Sequence, residues 1–95
     1  MIKFVVFTAE WCTFCQRLKP YTDALIESET VSMGYLDIDD EVNGKLAKKL
    51  NVTTIPTVMV LETTEGMMDT KEVERVVNPN PKQLKDLWEK YRGEV

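Results

Sequence analysis

Four short apolar or alternating segments along the chain have the length and composition of β-strands. The first and third are almost wholly apolar, which is typical of strands that are buried on both faces. The fourth carries more charge, as expected at the edge of a sheet. We predict strands over residues 2–7, 31–38, 57–61 and 72–77, and a hairpin loop formed by the polar residues 62–71 around Gly66.

Apolar residues at helical spacing follow the first strand. Phe14, Leu18, Tyr21 and Leu25 recur at intervals of four, three and four residues. This spacing predicts a helix over about residues 12–26, with these four side chains on its core face.

Two further helices are marked by capping residues as well as by apolar spacing. The first is predicted to follow the N-cap Asp40, to place Val42, Leu46 and Leu50 toward the core, and to end at Asn51 in a left-handed conformation. For the last helix we predict Asn80 as N-cap, Pro81 in the first turn and an end at Gly93. Its core face would be formed by Leu84, Leu87, Trp88 and Tyr91.

The resulting order, β-α-β-α-β-β-α, predicts an α/β domain on a small mixed sheet. We expect residues 1–95 to form one domain, because domains of this size are common and no linker interrupts the chain. The net charge is −4 and no basic stripe is present, which argues against a nucleic-acid partner. No run of apolar residues is long enough for a membrane helix or has the pattern of a signal peptide. The expectation is a monomeric cytoplasmic protein with no membrane contact.

The two cysteines, Cys12 and Cys15, form a C-x-x-C motif between a predicted strand and a predicted helix. At a helix N-terminus the backbone N–H groups lack intrahelical acceptors and stabilise an anion. Comparable positions lower the pKa of a cysteine from about 8.5 to about 3.5–7.5. The motif in this context predicts a redox centre in which Cys12 attacks a substrate disulfide and Cys15 resolves the mixed disulfide.

Two other interpretations of the cysteines remain open at this point. Half of a structural zinc site is one, although four ligands are required and the chain has no histidine and no third cysteine. A symmetric dimer would have to pool four thiolates, so we expect no bound metal. The other is a pair of unreactive core cysteines, since buried cysteine is a common small hydrophobe.

The motifs of the chain resemble those of the thioredoxin and glutaredoxin superfamily. The segment from Ala9 to Cys15, with Trp11 directly before Cys12, resembles the thioredoxin active-site segment. Pro20 matches the helix-kinking proline of that family, and Ile55-Pro56 matches the position of its cis-proline. The resemblance implies a thioredoxin-like fold in which a four-stranded mixed sheet is flanked by three helices.

The resemblance also implies a substrate-binding surface around the cysteines. The cis-proline loop would bring the backbone of Ile55 beside the sulfurs, where an extended substrate segment could pair with it. Phe14 is ambiguous, because it belongs to the apolar helix face and also lies between the two cysteines. The implied substrate-binding residues are Trp11, Thr13, Phe14, Thr54, Ile55 and Pro56.

Five positions depart from the thioredoxin pattern. Val6 stands where thioredoxins carry a buried aspartate, and Tyr35 aligns with the lysine that partners it. We therefore infer that Cys15 is deprotonated by water, by the departing thiolate or by Glu10. Val77 replaces a glycine that flattens the substrate groove, and Thr13-Phe14 replaces the usual Gly-Pro between the cysteines.

The leading functional hypothesis is a thiol–disulfide oxidoreductase that reduces protein disulfides and needs no bound cofactor beyond its reversible Cys12–Cys15 disulfide. By resemblance, electrons would come from NADPH through thioredoxin reductase, and ribonucleotide reductase is a possible client. A glutaredoxin that uses glutathione is the main alternative, since the chain is short and Phe14 precedes Cys15. A disulfide isomerase or oxidase would suit an oxidising compartment, and a thioredoxin-fold binding module is the non-enzymatic alternative.

Overall fold

The computed structural model describes residues 2–27, 32–63 and 70–92. Its elements follow the predicted order β-α-β-α-β-β-α. They are β1 (Ile2–Thr8), α1 (Thr13–Glu27), β2 (Ser32–Asp37), α2 (Glu41–Lys49), β3 (Thr57–Thr63), β4 (Thr70–Val77) and α3 (Pro81–Arg92). Within these ranges, none of the helices has the length and apolarity required to cross a bilayer.

The four strands form one mixed sheet in the order β2-β1-β3-β4. β1 pairs parallel with β2 and antiparallel with β3, and β3 pairs antiparallel with β4. The predicted mixed sheet is therefore confirmed. β1 lies at the centre with both faces covered, which explains why its residues are apolar at consecutive positions instead of alternating.

The two faces of the sheet are covered differently. On one face, α1 and α3 cover a core that contains Phe4, Val6, Trp88 and Tyr91. The ring of Phe4 stacks on that of Trp88, with their centroids 5.1 Å apart. The predicted assignment of Trp88 and Tyr91 to the core is confirmed. On the other face a smaller apolar cluster packs around α2.

The predicted core face of α1 is confirmed for Leu18 and Leu25 and wrong for Phe14 and Tyr21. Phe14 is 59% exposed and Tyr21 is 51% exposed. Cys15 and Thr22 are buried together with Leu18. A polar residue can occupy this face because the Thr22 hydroxyl donates to the backbone carbonyl of Lys19, 3.0 Å away.

The predicted core face of α2 is confirmed for Leu50, which packs against the apolar cluster, and wrong for Val42 and Leu46, which are exposed. Val42 is 73% exposed, whereas Ala47 is buried. The reason is the close approach of α2 to the end of β2: a Cβ atom on Gly44 would lie 2.9 Å from the carbonyl oxygen of Ile38. Small residues face the sheet because a larger side chain at Gly44 would meet backbone there.

Element boundaries differ from the predictions mainly in the hairpin. Glu62 pairs with Lys71 in the β3–β4 ladder, so both strands extend into the segment that was predicted to be a loop. Polar side chains suit these positions because cross-strand pairs of opposite charge stabilise exposed strands. β2 ends at Asp37 and not at residue 38, α1 extends to Glu27, and Val31, Gly66 and Gly93 lie outside the described residues.

The predicted caps are present. The Asp40 side chain accepts a hydrogen bond from the backbone N–H of Asn43, 3.1 Å away. Asn51 has a φ of 58°, and the N–H groups of Asn51 and Val52 donate to the last carbonyls of α2, which is the pattern of a Schellman motif. Asn80 and Gln83 exchange side-chain hydrogen bonds with each other's backbone N–H groups and form a capping box on α3.

Candidate active site

Cys12 lies in the turn between β1 and α1, one residue before the helix begins. Its backbone N–H donates to the carbonyl of Ala9 (3.2 Å), and its own carbonyl accepts from the N–H of Gln16 (3.1 Å). The side-chain amide of Gln16 donates to the same Ala9 carbonyl, also at 3.2 Å. These bonds fix Cys12 at a helix N-terminus, where unpaired N–H groups favour a negatively charged sulfur.

Cys12 and Cys15 form a disulfide, with their Cα atoms 5.2 Å apart. The backbone N–H of Cys15 lies 3.2 Å from the Sγ atom of Cys12. After reduction this N–H can donate to a Cys12 thiolate, which adds to the effect of the helix terminus. Both cysteines are largely buried, with exposed fractions of 7% for Cys12 and 4% for Cys15.

The loop before β3 approaches Cys12 from the other side. The Ile55–Pro56 peptide bond is cis, and the carbonyl oxygen of Ile55 lies 3.9 Å from the Sγ atom of Cys12. The loop is held from both directions. The Asn78 N–H donates to the carbonyl of Pro56 (2.7 Å), and the Thr57 hydroxyl donates to that of Thr54 (2.6 Å). The loop backbone is thereby anchored beside the sulfur of Cys12.

Two aromatic side chains flank the motif at the surface. Trp11 is 66% exposed, and its indole N–H donates to both carboxylate oxygens of Asp39 at 3.0 and 3.2 Å. The ring of Phe14 lies 5.9 Å from the Arg17 guanidinium. Phe14 faces outward, so it is not part of the core.

Asp39 is a site residue that the sequence analysis missed. It follows β2, and Trp11 follows β1, which is parallel to β2. Carboxyl ends of parallel strands meet at the same edge of a sheet, so the position of Asp39 after a predicted strand was a usable signal.

A cavity of about 280 Å³ lies behind Cys15. Val6 and Tyr35, two of the positions that depart from the thioredoxin pattern, face each other in the β1–β2 ladder and both line this cavity. Glu10 and Asp37 also line it, and Asp37 is a second residue that the sequence analysis did not single out. A void of this size, lined in part by polar side chains, is large enough to hold water next to Cys15.

Tyr35 is held in its protonated form. Burial and a hydrogen bond to Asp23 raise the pKa of Tyr35 to about 12, and its hydroxyl also pairs with that of Thr22. A neutral phenol is a very weak base, so Tyr35 does not replace a buried carboxylate as a proton acceptor. Within the cavity wall, Glu10 and Asp37 are the described residues that carry carboxylates.

Val77 borders the cis-proline loop, since it pairs with Thr57 in the β3–β4 ladder. It is 51% exposed, so its side chain adds apolar surface where the thioredoxin pattern has a glycine. Throughout the described ranges, no three His, Cys, Asp or Glu side chains are grouped so as to hold a metal ion.

Comparison with known proteins identifies the family. A family model described as Thioredoxin matches residues 2–90. The chain belongs to the thioredoxin family. Thioredoxin 1 of Plasmodium falciparum is 30% identical over 87 residues, which are 92% of this chain and 77% of that protein. The thioredoxin of Staphylococcus haemolyticus is 30% identical over 91 residues, covering 95% of this chain and 82% of that one.

The likeness extends to three dimensions. The solution structure of the oxidised thioredoxin from Plasmodium falciparum superposes with a TM-score of 0.76 at 29% identity, covering 96% of this chain and 81% of that one. The predicted thioredoxin-like fold is confirmed. So is the prediction of a thiol–disulfide oxidoreductase that reduces protein disulfides, with the C-x-x-C pair Cys12 and Cys15. The glutaredoxin and isomerase or oxidase alternatives are not favoured.

Proposed function

We propose that residues 1–95 act as a single thioredoxin domain in which Cys12 is the nucleophile and Cys15 the resolving cysteine. The observation that carries this assignment is the different surroundings of the two sulfurs. Cys12 lies against the cis-proline loop, with its Sγ atom 3.9 Å from the carbonyl of Ile55. Cys15 lines the cavity of about 280 Å³. A client disulfide can approach the loop side, whereas the cavity side is suited to a proton transfer.

The reaction then runs in two exchanges. The Cys12 thiolate attacks one sulfur of the client disulfide, forms a mixed disulfide and releases the other client sulfur as a thiolate. Cys15 loses its proton and attacks the Cys12 sulfur. The second client thiolate leaves and the Cys12–Cys15 disulfide forms. Two electrons pass to the client, and its two thiolates take up protons.

The proton of Cys15 needs an acceptor in the second exchange. We propose that water in the cavity takes it and that Glu10 or Asp37 accepts it from the water. Both carboxylates line the same cavity as Cys15. This proton route therefore works without the buried aspartate that Val6 replaces. The departing client thiolate remains a competing acceptor, and replacing both carboxylates distinguishes the two routes.

Client binding is assigned to the surface around Cys12. Trp11, Thr13, Phe14 and Thr54 are exposed there, and Ile55 is partly exposed with its backbone beside the sulfur. Pro56 is buried and acts by fixing the loop. An extended client segment would pair with the loop backbone and pack against the two aromatic rings.

The electron donor is proposed to be thioredoxin reductase, which carries electrons from NADPH, with glutathione as the alternative donor. Disulfide-containing proteins are the clients, and ribonucleotide reductase is a candidate among them. A monomer in the cytoplasm, where other thiol systems are reducing, is the setting in which such a reductant would work. No nucleic-acid or membrane partner forms part of the proposal.

The first test is the midpoint potential of the Cys12–Cys15 pair. The protein would be equilibrated in dithiol–disulfide buffers of graded potential, and its oxidised fraction read by thiol alkylation and mass. A midpoint between roughly −270 and −200 mV is expected for a cytoplasmic reductant. A midpoint between roughly −180 and −120 mV would indicate an oxidant or isomerase and contradict the proposed direction of electron flow.

The order of attack is tested by two serine variants. Cys15→Ser is expected to accumulate a mixed disulfide between Cys12 and a client, because the resolving step is lost. Cys12→Ser is expected to form no such adduct and to lose turnover. Intact-protein mass spectrometry after exposure to a peptide disulfide separates these outcomes. Adducts on Cys12→Ser and none on Cys15→Ser would reverse the assigned roles.

A further inference from the structure

An apolar groove lies between α1 and α3, away from the Cys12 sulfur. It has a volume of about 660 Å³, and its walls are mostly hydrophobic. Tyr21 contributes an aromatic ring that is 51% exposed, which is a large apolar surface to leave in water. The apolar residues of the groove are Pro20, Tyr21, Ala24, Leu25, Pro81 and Leu84.

The groove is continuous with the surface beside the redox centre. A smaller hollow of about 300 Å³ lies between the start of α1 and the turn before α3. Phe14, which stands between the two cysteines, lines this hollow, and Tyr21 and Pro81 line both the hollow and the groove. Asn78 also lines the hollow, and its N–H holds the cis-proline loop through Pro56. A segment leaving the sulfurs across Phe14 would therefore run directly into the groove.

The charges along this path have one sign. Lys82 and Lys85 line the groove, and Arg17 lines the hollow. Of the described residues that line either depression, none is an aspartate or glutamate. This is a local exception in a chain whose net charge is −4. A ligand with acidic side chains around apolar ones would complement both the charge and the apolar walls.

We propose that the groove between α1 and α3 binds an acidic, apolar segment of the client protein adjacent to its reactive cysteine. This inference rests on the proposed function, since the client must first present a disulfide to Cys12. The span from Phe14 to Leu25 along α1 is about 16 Å, at about 1.5 Å per residue. About five extended client residues would fill it.

A second copy of this chain fits the groove less well than a client does. A symmetric dimer places the same patch of both copies face to face, so Lys82 and Lys85 would meet their own counterparts. Like charges brought together in this way oppose association. The charge pattern therefore favours a foreign acidic segment.

The test uses three synthetic peptides, each carrying one cysteine in a disulfide with a small neutral fluorescent thiol. One peptide is unextended, one has a flank of alternating Glu and Leu, and one has a flank of alternating Lys and Leu. In the two flanked peptides the flank stands on both sides of the cysteine. The kcat/KM for reduction is expected to be about three- to tenfold higher with the acidic flank than without it. Added salt should reduce this gain.

Two double variants are compared. The groove variant carries Lys82→Gln and Lys85→Gln. The α2 variant, which is the control, carries Lys48→Gln and Lys49→Gln. Both pairs of lysines are exposed, and both changes alter the net charge by the same amount. The groove variant is expected to lose the gain from the acidic flank, and the α2 variant to keep it. Equal kcat/KM for the three peptides, or a gain that survives in the groove variant, would overturn the proposal.

A binding measurement separates this inference from the proposed function. The acidic peptide with serine in place of cysteine is titrated against the oxidised protein and followed by fluorescence anisotropy. Binding that weakens in the groove variant supports the groove even if no peptide is reduced, in which case the reductase proposal fails alone. Reduction of the unextended peptide without any preference for the acidic flank rejects the groove alone. A dimer that becomes tighter in the groove variant, in which the repelling lysines are neutral, would assign the surface to a second copy and overturn the client proposal.

Discussion

Phe4 and Trp11 lie at opposite ends of the segment formed by β1 and the turn that follows it, and their environments differ completely. Phe4 is fully buried and stacks on Trp88. Trp11 is 66% exposed and makes its hydrogen bonds to a surface carboxylate, that of Asp39. Large aromatic side chains stabilise a fold when they are buried and bind partners when they are left exposed beside a reactive group. β1 thus begins in the buried aromatic core, and the turn that follows it carries an exposed aromatic ring beside the cysteines.

The largest expected effect is the loss of Phe4. Phe4→Ala removes a fully buried ring and is expected to lower the free energy of unfolding by about 3–5 kcal/mol, because the transfer free energy is lost and a cavity remains. Denaturant-induced unfolding followed by fluorescence measures the change. The midpoint potential of Cys12–Cys15 in the folded protein is expected to stay the same, since Phe4 belongs to a different apolar cluster from the cysteines.

A milder substitution at the same position keeps this prediction testable if Phe4→Ala does not fold. Phe4→Leu keeps an apolar side chain in the site and is expected to cost about 1–2 kcal/mol. If Phe4→Leu and Phe4→Ala both change the free energy of unfolding by less than about 0.5 kcal/mol, the aromatic core does not carry the stability assigned to it.

Trp11→Ala is expected to reduce activity and to leave stability almost unchanged, which is the opposite of the effect of Phe4→Ala. Its free energy of unfolding should change by about 0.5 kcal/mol or less, as for other exposed positions. The kcat/KM for a protein disulfide should fall about tenfold, since exposed aromatic residues commonly contribute more than 1 kcal/mol to binding. The loss should appear in KM, because the role proposed for the ring is to bind the client and not to take part in the exchange.

Two comparisons make the interpretation of Trp11 specific. A small aromatic disulfide needs no docking surface, so its reduction by Trp11→Ala should match that by the unsubstituted protein. Trp11→Phe keeps an aromatic ring and loses the hydrogen bond to Asp39, and it should recover most of the activity on the protein disulfide. An equal loss on both substrates would mean that Trp11 acts on the cysteines themselves.

The sequence was sufficient for the elements of the fold but not for the orientation of the helices. Apolar runs and caps gave the order of strands and helices, because these signals are local. The predicted inward faces of α1 and α2 were right only in part, since they depend on contacts with the sheet. Phe14 and Tyr21 continue an apolar stripe on α1 but stay exposed, and Gly44 sets how closely α2 approaches Ile38. Neither fact is encoded in spacing alone.

At the candidate site, the sequence identified the residues with a motif and missed those without one. Cys12 and Cys15 were evident from their spacing, and Ile55-Pro56 from resemblance. Asp37 and Asp39 carry no motif, and they reach the site because β2 runs parallel to β1 and ends at the same edge. The groove between α1 and α3 depends on the packing of two helices that are distant in sequence, which no local pattern reports.

The smallest expected effect concerns Tyr91, which joins the aromatic core to the surface. Its ring lies 6.3 Å from that of Phe4, whereas its hydroxyl donates to the carboxylate of Glu74 at 2.7 Å. Lys90 donates to the same oxygen, also at 2.7 Å. The hydrogen bond from Lys90, and then that from Tyr91, lowers the pKa of Glu74 below its ordinary value of 4.5. A carboxylate with a lowered pKa stabilises the folded protein above its unfolded pKa, and this contribution is lost as the pH falls through the lowered value.

Glu74→Gln removes this charge and is expected to lower Tm by a few degrees at most at neutral pH. The difference from the unsubstituted protein should shrink as the pH falls through the lowered pKa of Glu74, because Glu74 itself then becomes protonated. Thermal unfolding followed by circular dichroism across this range measures it. Glu89→Gln is the control on α3, since Glu89 is exposed and its replacement removes the same charge. A Tm difference for Glu74→Gln that stays constant from neutral to acid pH would mean that the side chain acts through packing and not through its charge. In that case Tyr91 would stabilise the fold only through the packing of its ring in the core, and not through its hydrogen bond to the charged Glu74.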